Sequence, residues 1–503
     1  MRSEYNQFPA AVYAESVLAP DFEVYKTHFS EELHQINLAH GIMLFEQGLL
    51  SLEEVRLMLV ALEAIHLEKQ WAKQSFDGSF EDLFFLVERE LGSRIGGDTA
   101  GRLHTGRSRN DMEHTMFRMQ LRQHLLELIA QYSGLVQKVI DRATEGRQEI
   151  VLLYTHGQPA QVSVLGHYLG AALEFMLRDL KRIMAALKDV NLCPMGAAAI
   201  TTSGFALNRQ RVSELLGFPE IVENSYGAIA NIDYITGCYS ALRLSCIHLG
   251  RLVQDLVYWT GFEVSQILVP DGLVQISSIM PQKRNPVPLE HLRLKFSLAG
   301  GAADQIIQTM HNTPFADMND SERETQATGF AVFERIAKAL PLLAGFIEAM
   351  QINHASVQER IHRSMATTTE LADTLVREEQ ISFRAAHHVA QVLAREAIQQ
   401  KLRLDHLPWE LFEQTFVNVV GRVPTIGPES LKQASSPQNF VEVRKLPGGP
   451  GVRALDQSLQ NYRQQLAEIQ SQVQQIKESI STAEDQRQLL VADLISRGLV
   501  HNG

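Results

Sequence analysis

In the stretch Phe117–Val139, FRMQLRQHLLELIAQYSGLVQKV, the apolar residues Phe117, Leu121, Leu125, Leu128, Tyr132, Leu135 and Val139 recur at steps of three and four. That spacing lines one face of a helix. Leu165, Leu169, Leu173, Leu177, Leu180, Met184 and Leu187 repeat the pattern, and Leu242, Ile247, Leu249, Val253 and Leu256 follow it again. Alternation of the strand kind is confined to short pieces such as Gln266-Ile267-Leu268-Val269. Helices of about 30 residues reach roughly 45 Å, too long for one compact layer and suited to an extended bundle. Apolar residues on more than one face predict that subunits share this bundle. The expected class is all-α.

At 503 residues the chain is long enough for two or three domains around a large core. With 45% hydrophobic and 21% charged residues it has the composition of a soluble globular protein. A net charge of −12 argues against nucleic acid or an anionic membrane as the main partner. It leaves room for an anionic substrate, because a local cluster of Lys and Arg reverses the field inside a cleft. Cys193, Cys238 and Cys246 have no metal-ligand spacing, and their odd number disfavours a disulfide framework. Buried thiols in a reducing cytoplasm are the expectation. The N-terminus carries Glu4 and lacks a signal-peptide pattern. No apolar run approaches the roughly 20 residues that span a bilayer.

The chain divides at two places. Residues 1–111 hold shorter helices and end in a Gly-rich loop, residues 112–362 carry the long helices, and residues 363–503 begin at Ser364-Met365-Ala366-Thr367-Thr368. The last segment contains the breaker Leu446-Pro447-Gly448-Gly449-Pro450-Gly451. Beyond it Leu455, Leu459, Tyr462, Leu466, Ile469, Val473, Ile476 and Ile480 alternate steps of four and three, a heptad seam. A long helix packed on its own domain is preferred here over an independent coiled coil.

Three distant segments concentrate polar groups. Ser277-Ser278-Ile279-Met280-Pro281-Gln282-Lys283-Arg284-Asn285-Pro286 packs hydroxyls, a cation and a carboxamide into one loop shaped by prolines. Asn285-Pro286 reads as an N-cap and first helical residue, opening a helix along Leu289, Leu292 and Phe296. A Ser beside a Lys and a helix N-terminus suits chemistry on a carboxylate, since both neighbours favour negative charge. Leu103-His104-Thr105-Gly106-Arg107-Ser108-Arg109-Asn110-Asp111 precedes the first long helix, with Arg109 and Asn110 as planar donors for a carboxylate. Taken alone it reads equally well as a capped turn with solvated arginines. Tyr154-Thr155-His156-Gly157-Gln158-Pro159-Ala160-Gln161 precedes the second long helix and reads as its opening turn, with His156 suited to acid–base work near neutral pH.

Together the three loops resemble the signature regions of the fumarase/aspartase superfamily and, within it, the argininosuccinate lyase family. Ile221-Val222-Glu223-Asn224-Ser225 after Leu215-Leu216-Gly217-Phe218 extends the likeness. So does Thr369-Glu370-Leu371-Ala372-Asp373-Thr374-Leu375-Val376, followed by Phe383-Arg384-Ala385-Ala386-His387. The resemblance implies an elongated three-domain subunit whose central long-helix bundle is shared in a homotetramer, with each active site built from loops of three subunits. It implies an anti β-elimination from an N-substituted aspartate that releases fumarate and an amine or guanidine, without metal or organic cofactor. Ser277 would be the general base, with Lys283 stabilising its alkoxide. Lys283, Asn285, Arg109 and Asn110 would hold the charge that builds on the substrate carboxylate. Ser108 and Gln161 fall in the substrate-binding regions. Thr155 and His156 would face the leaving group, and Glu290 would pair with His156.

The departures from the pattern cluster on the amine half. Ile276 precedes Ser277 where the family has Gly, and a β-branched residue stiffens a loop expected to close. Phe84 stands where the family carries His. After Pro314-Phe315-Ala316 the family expects Tyr-Asn-Arg-Asp-Met-Gln-Glu-Asp; this chain has Asp317-Met318-Asn319-Asp320-Ser321-Glu322-Arg323-Glu324. Asp317 and Glu322 thus replace a tyrosine and a glutamine. The N-terminal Trp-Gly-Gly-Arg-Phe run is absent. The favoured reading is elimination of argininosuccinate or a close analogue. Alternatives are a lyase of the same superfamily with another amine leaving group, and a non-catalytic structural protein on this scaffold.

Overall fold

The computed structural model describes residues 5 and 7–497; Glu4 lies outside them. The N-terminal part contains α1 (Ala19–His28), α2 (Ser30–Glu46), α3 (Leu52–Glu68) and α4 (Leu83–Ile95). Five long helices follow: α5 (Arg109–Glu145), α6 (Leu165–Val190), α7 (Asp233–Thr260), α8 (Val287–Thr309) and α9 (Arg323–Ala349). Then come α10 (Thr368–Glu379), α11 (Phe383–Gln400), α12 (Trp409–Val420) and the tail helix α13 (Val452–Arg497). The all-α expectation holds. Strands are short and paired in twos: β1 (Ile150–Thr155) with β2 (Gln158–Val164), β3 (Leu192–Cys193) with β4 (Glu220–Ile221), β5 (Ile267–Leu268) with β8 (Gln351–Ile352), and β6 (Gln275–Ile276) with β7 (Arg284–Asn285).

The three-and-four apolar spacing reappears as burial. All seven quoted apolar positions of α5 are buried, and its neighbours along the bundle are α6 and α9, while α8 packs between α7 and α9. One apolar core runs through α1–α9 and continues into α13 by way of Leu455, Leu459, Leu466, Ile469 and Val473. A second core, from Met365 to Ala434, is held by α10–α12. The heptad seam of α13 therefore lies along α5 and α6, with its far end on α3, rather than forming a coiled coil of its own. The three cysteines are free and buried. Among the described residues no helix is long and apolar enough to cross a membrane.

Where α13 crosses α2 and α3, His34 and His66 stack face to face, with ring centroids 4.0 Å apart and planes 10° from parallel. His34 Nε2 lies 3.4 Å from Glu63, and His66 Nε2 lies 3.5 Å from Glu31. Burial, then the neighbouring His66, Arg487 and Lys69, push the His34 pKa down to about 3. Because the folded value lies below the unfolded one, the stabilisation is complete above pH of about 6.5 and is lost as the pH falls toward 3. The slope is about 1.4 kcal/mol per pH unit. Urea denaturation at two pH values checks this. Between pH of about 6.5 and 5.5 the wild type should lose about 1 kcal/mol more than a His34→Gln variant; equal losses would refute the assignment.

Candidate active site

The first loop is organised by the start of α5. Ser108 caps the helix, and its own N–H donates to Asp111 Oδ1 at 2.9 Å in a capping box. The other Asp111 oxygen accepts the N–H groups of Gly196 and Ala198, each at 2.9 Å, so this buried carboxylate ties two loops together. Burial pushes its pKa up to about 6 against those three hydrogen bonds. Gly106 has φ +70°, and a Cβ there would lie 2.7 Å from Leu207 Cδ1. Both conformation and space therefore disfavour a side chain. Gly106→Ala is expected to lower stability by about 1–3 kcal/mol, measured as a shift in the urea midpoint.

Arg109 leaves the loop toward α4, where Nη1 donates to Glu81 at 3.0 Å and Asp82 at 2.9 Å while the guanidinium stacks on Phe85 at 5.1 Å. Burial pulls its pKa down, but Asp82 and Glu81 outweigh burial and hold it above its ordinary value. The Asn110 amide donates to the Asp317 carboxylate. Phe84 is buried between Phe85 and His104, with ring centroids 5.2 and 5.4 Å away, and Arg107 stacks over it at 5.8 Å. At this position the chain presents packing surface rather than a hydrogen-bonding ring.

The second loop corrects a sequence expectation. Tyr154–Gln161 is not a helix opening but the end of the β1–β2 hairpin, in which Thr155 pairs with Gln158 and Leu153 with Gln161. His156 (φ +54°) and Gly157 (φ +73°) form the turn, and two successive left-handed residues are what a tight hairpin requires. Thr155, His156 and Gln161 are all exposed. Tyr258 at the end of α7 braces the turn, donating to the Gly157 carbonyl at 3.2 Å. Beside it an open groove of about 920 Å³ runs between α6 and α7, lined by Tyr154, His156, Arg178, His248 and Arg251.

The third loop is a second small hairpin, β6–β7, and this corrects the cap assignment. Asn285 pairs with Gln275 and its side-chain amide donates to the Gln275 carbonyl at 3.1 Å. Engaged there, it does not cap α8, whose N-cap is Pro286 and whose first residue is Val287. At the loop's tip Ser277 Oγ accepts the N–H of Met280 at 3.1 Å and of Ile279 at 3.4 Å. Lys283 is exposed and its backbone N–H donates to the Met280 carbonyl at 3.0 Å. The groups that face the Ser277 oxygen are thus backbone amides rather than the lysine. Ile276 is 72% and Ile279 82% exposed, an apolar tip facing solvent.

Within one chain the first and second loops do not meet. The first sits at the N-terminus of α5 and the second beyond its C-terminus, and 37 helical residues span about 55 Å. Among the described residues no hydrogen bond or ion pair joins Glu290 to His156; both are exposed. What the chain does assemble beside the first loop is a buried charged cluster that the sequence reading did not single out. Glu113, on α5, contacts Arg323, which also donates to Asp21 at 2.8 Å and stacks on Tyr25 at 4.8 Å. His114 Nε2 stands 3.8 Å from Asp317, and its Nδ1 lies 3.2 Å from the Tyr234 hydroxyl. The sequence signal was present in part: Glu113 and His114 lie one turn beyond Asn110, on the same helix as the loop they support.

An all-α subunit with three polar loops at the ends of a long-helix bundle matches known proteins along most of its length. Residues 38–301 match the lyase family, and residues 365–442 match the argininosuccinate lyase C-terminal family. Argininosuccinate lyase 2 of Agrobacterium fabrum is 46% identical over 94% of this chain and 94% of its own length. Argininosuccinate lyase of Methanosarcina acetivorans is 32% identical over 92% and 95%. Among solved structures, EDDS lyase in complex with formate superposes with a TM-score of 0.82 at 27% identity, covering 96% of this chain and 97% of that one. A class II fumarase from Schistosoma mansoni shares the fold, with a TM-score of 0.65 at 17% identity over 87% and 93% of the two chains. The class is that of C–N lyases of the fumarase/aspartase superfamily. Within it, the chain belongs to the argininosuccinate lyase family.

Proposed function

We propose that this enzyme catalyses the anti β-elimination of an N-substituted aspartate, argininosuccinate or a close analogue, to fumarate and a guanidine or amine. The observation that carries the reading is the turn at Ser277. Its half-buried hydroxyl stands at the tip of the β6–β7 loop and already faces two backbone N–H donors. Those donors stabilise the alkoxide that a serine base must become, a preorganised oxyanion arrangement. Ser277 takes the Cβ proton. Lys283 and Asn285 stabilise the charge that then spreads onto the neighbouring carboxylate, and Ser108, Arg109, Asn110 and Gln161 position the substrate. Thr155 and His156 face the departing nitrogen, where His156 supplies a proton, oriented by Glu290.

These roles require different subunits, because α5 holds the first and second loops of one chain about a helix length apart. A homotetramer with composite sites supplies the missing loops. Leu244 and Ile247 on α7 and Leu294 and Leu298 on α8 are exposed along the bundle and give it an apolar surface to share. The three-segment division at 111 and 362 belongs to the same proposal, with the tail helix returning to the bundle core. Three free, buried thiols suit a cytoplasmic location.

The second reading, another amine leaving group, is favoured by Phe84, Asp317 and Glu322. Fumarate absorbance during incubation with argininosuccinate and a panel of N-substituted aspartates distinguishes the two. Release from argininosuccinate supports the first, release only from other members supports the second, and silence from a folded assembly on the whole panel overturns both.

A further inference from the structure

The corner where the first loop meets the segment leading into α9 has a charge balance unsuited to a purely anionic ligand. Both guanidinium groups that flank it are already neutralised, Arg109 by Glu81 and Asp82 and Arg323 by Asp21 and Glu113. Asp317 is left over. Its side chain is 30% exposed, accepts the Asn110 amide and stands 3.8 Å from His114. Burial lowers the His114 pKa against the pull of Asp317, so the ring offers no full counter-charge near neutral pH. Glu322 is half-buried, and no hydrogen bond reaches its carboxylate among the described residues. A separate sign is Gln326, 1% exposed and one turn further along α9. Its amide donates to the Ser321 carbonyl at 2.9 Å, while its Oε1 has no partner. The segment therefore offers acceptors and negative charge. A group that docks there must supply donors and positive charge.

We propose that Asp317 is a specificity-determining residue that selects aspartates whose nitrogen substituent carries an ammonium or guanidinium group over those with a neutral alkyl substituent. The inference rests on the elimination reading of the same site and names its substrate class. Two neighbouring features agree with it. Asp317 is held by Asn110, a residue of the substrate-binding loop, so its carboxylate belongs to that loop's surface. Phe315, two residues earlier, is pinned by the Tyr226 hydroxyl on its carbonyl at 2.6 Å and by ring contact at 5.6 Å, which keeps the segment in place without Asp317. Glu322 reinforces the field through space.

The test uses the assembled full-length enzyme in the reverse direction, adding ethylenediamine or propylamine to fumarate. These amines are of similar size, and only the first carries a second, cationic nitrogen. The wild type should prefer ethylenediamine in kcat/KM, and the preference should shrink as ionic strength rises. Asp317→Asn keeps the shape and the Asn110 contact; it should lower the ratio about tenfold or more, mainly through KM for the diamine. Glu322→Gln should move the ratio the same way by less. As a binding readout, arginine should inhibit fumarate formation more tightly than the neutral isostere citrulline, and Asp317→Asn should narrow that gap. A uniform fall with both amines would assign Asp317 a structural role and overturn the proposal, as would an unchanged ratio. Should Asp317→Asn fail to assemble, Glu322→Gln and the salt dependence decide the matter alone. A wild type that neither adds an amine to fumarate nor releases fumarate from any aspartate in the panel overturns the elimination reading itself, whereas an active wild type with no charge preference overturns only this inference.

Discussion

Ser277→Ala should reduce fumarate release by at least about 10²- to 10⁴-fold, the range for loss of a positioned base, while the protein folds and assembles as before. The structural side follows from the loop. Ser277 Oγ accepts only the Met280 and Ile279 amides, and those residues are exposed, so water replaces the oxygen when it is removed. Surface changes of this kind stay within about ±0.5 kcal/mol. The catalytic side follows from the same geometry, because the methyl group has no lone pair to take the Cβ proton. Kinetics with saturating substrate, beside a thermal melt and the assembly state, check both halves. Turnover within a few fold of wild type would place the base elsewhere, and a lowered melting temperature would make the loop structural.

The second large effect is on stability. Arg323→Met should cost about 3–5 kcal/mol, the range for stripping one partner from a buried ion pair. Arg323 is among the buried charged residues, bridging Asp21 and Glu113 from two different helices and covering Tyr25. Burial raises the Glu113 carboxyl and Arg323 is the strongest group opposing it. Without the guanidinium, Glu113 either protonates or stays charged in a site that does not solvate it. The double variant Glu113→Gln with Arg323→Met should recover part of the loss, since it removes the stranded charge as well. Chemical denaturation of wild type, single and double variants measures this; a single variant within about 1 kcal/mol of wild type would show that water reaches the cluster.

The long helices were legible because their signal is local and repeated. Phe117 to Val139 records its buried face at every turn, and the same residues are buried in the structure. The strand at Ile267–Leu268 lies within Gln266–Val269, a short stretch whose alternation is likewise a local signal. The hairpin at His156-Gly157 was missed although its pair of residues is a turn signal. An adjacent long helical pattern drew the segment into that helix, whereas two left-handed residues in a row belong to a hairpin. Asn285 was misread as a cap because a cap is inferred from neighbours in sequence. Its amide is instead engaged by Gln275, ten residues back across the β6–β7 pair. The Glu113–Arg323–Asp21 cluster was not found, since its members lie up to 302 positions apart and nothing local marks a charge as buried.

Helical period was sufficient to define the all-α class, and the likeness of the three polar loops to the fumarase/aspartase signature regions supplied the lyase reading and pointed to Ser277. All of these are carried by residues close in sequence, where spacing alone specifies geometry. The environment of each charge was settled in three dimensions. Folding gives Arg109 to Glu81 and Asp82, Arg323 to Glu113 and Asp21, and leaves Asp317 facing Asn110 with its charge unmatched. An electrostatic environment is a sum over groups brought together from the whole chain, and that sum exists only once the helices have packed.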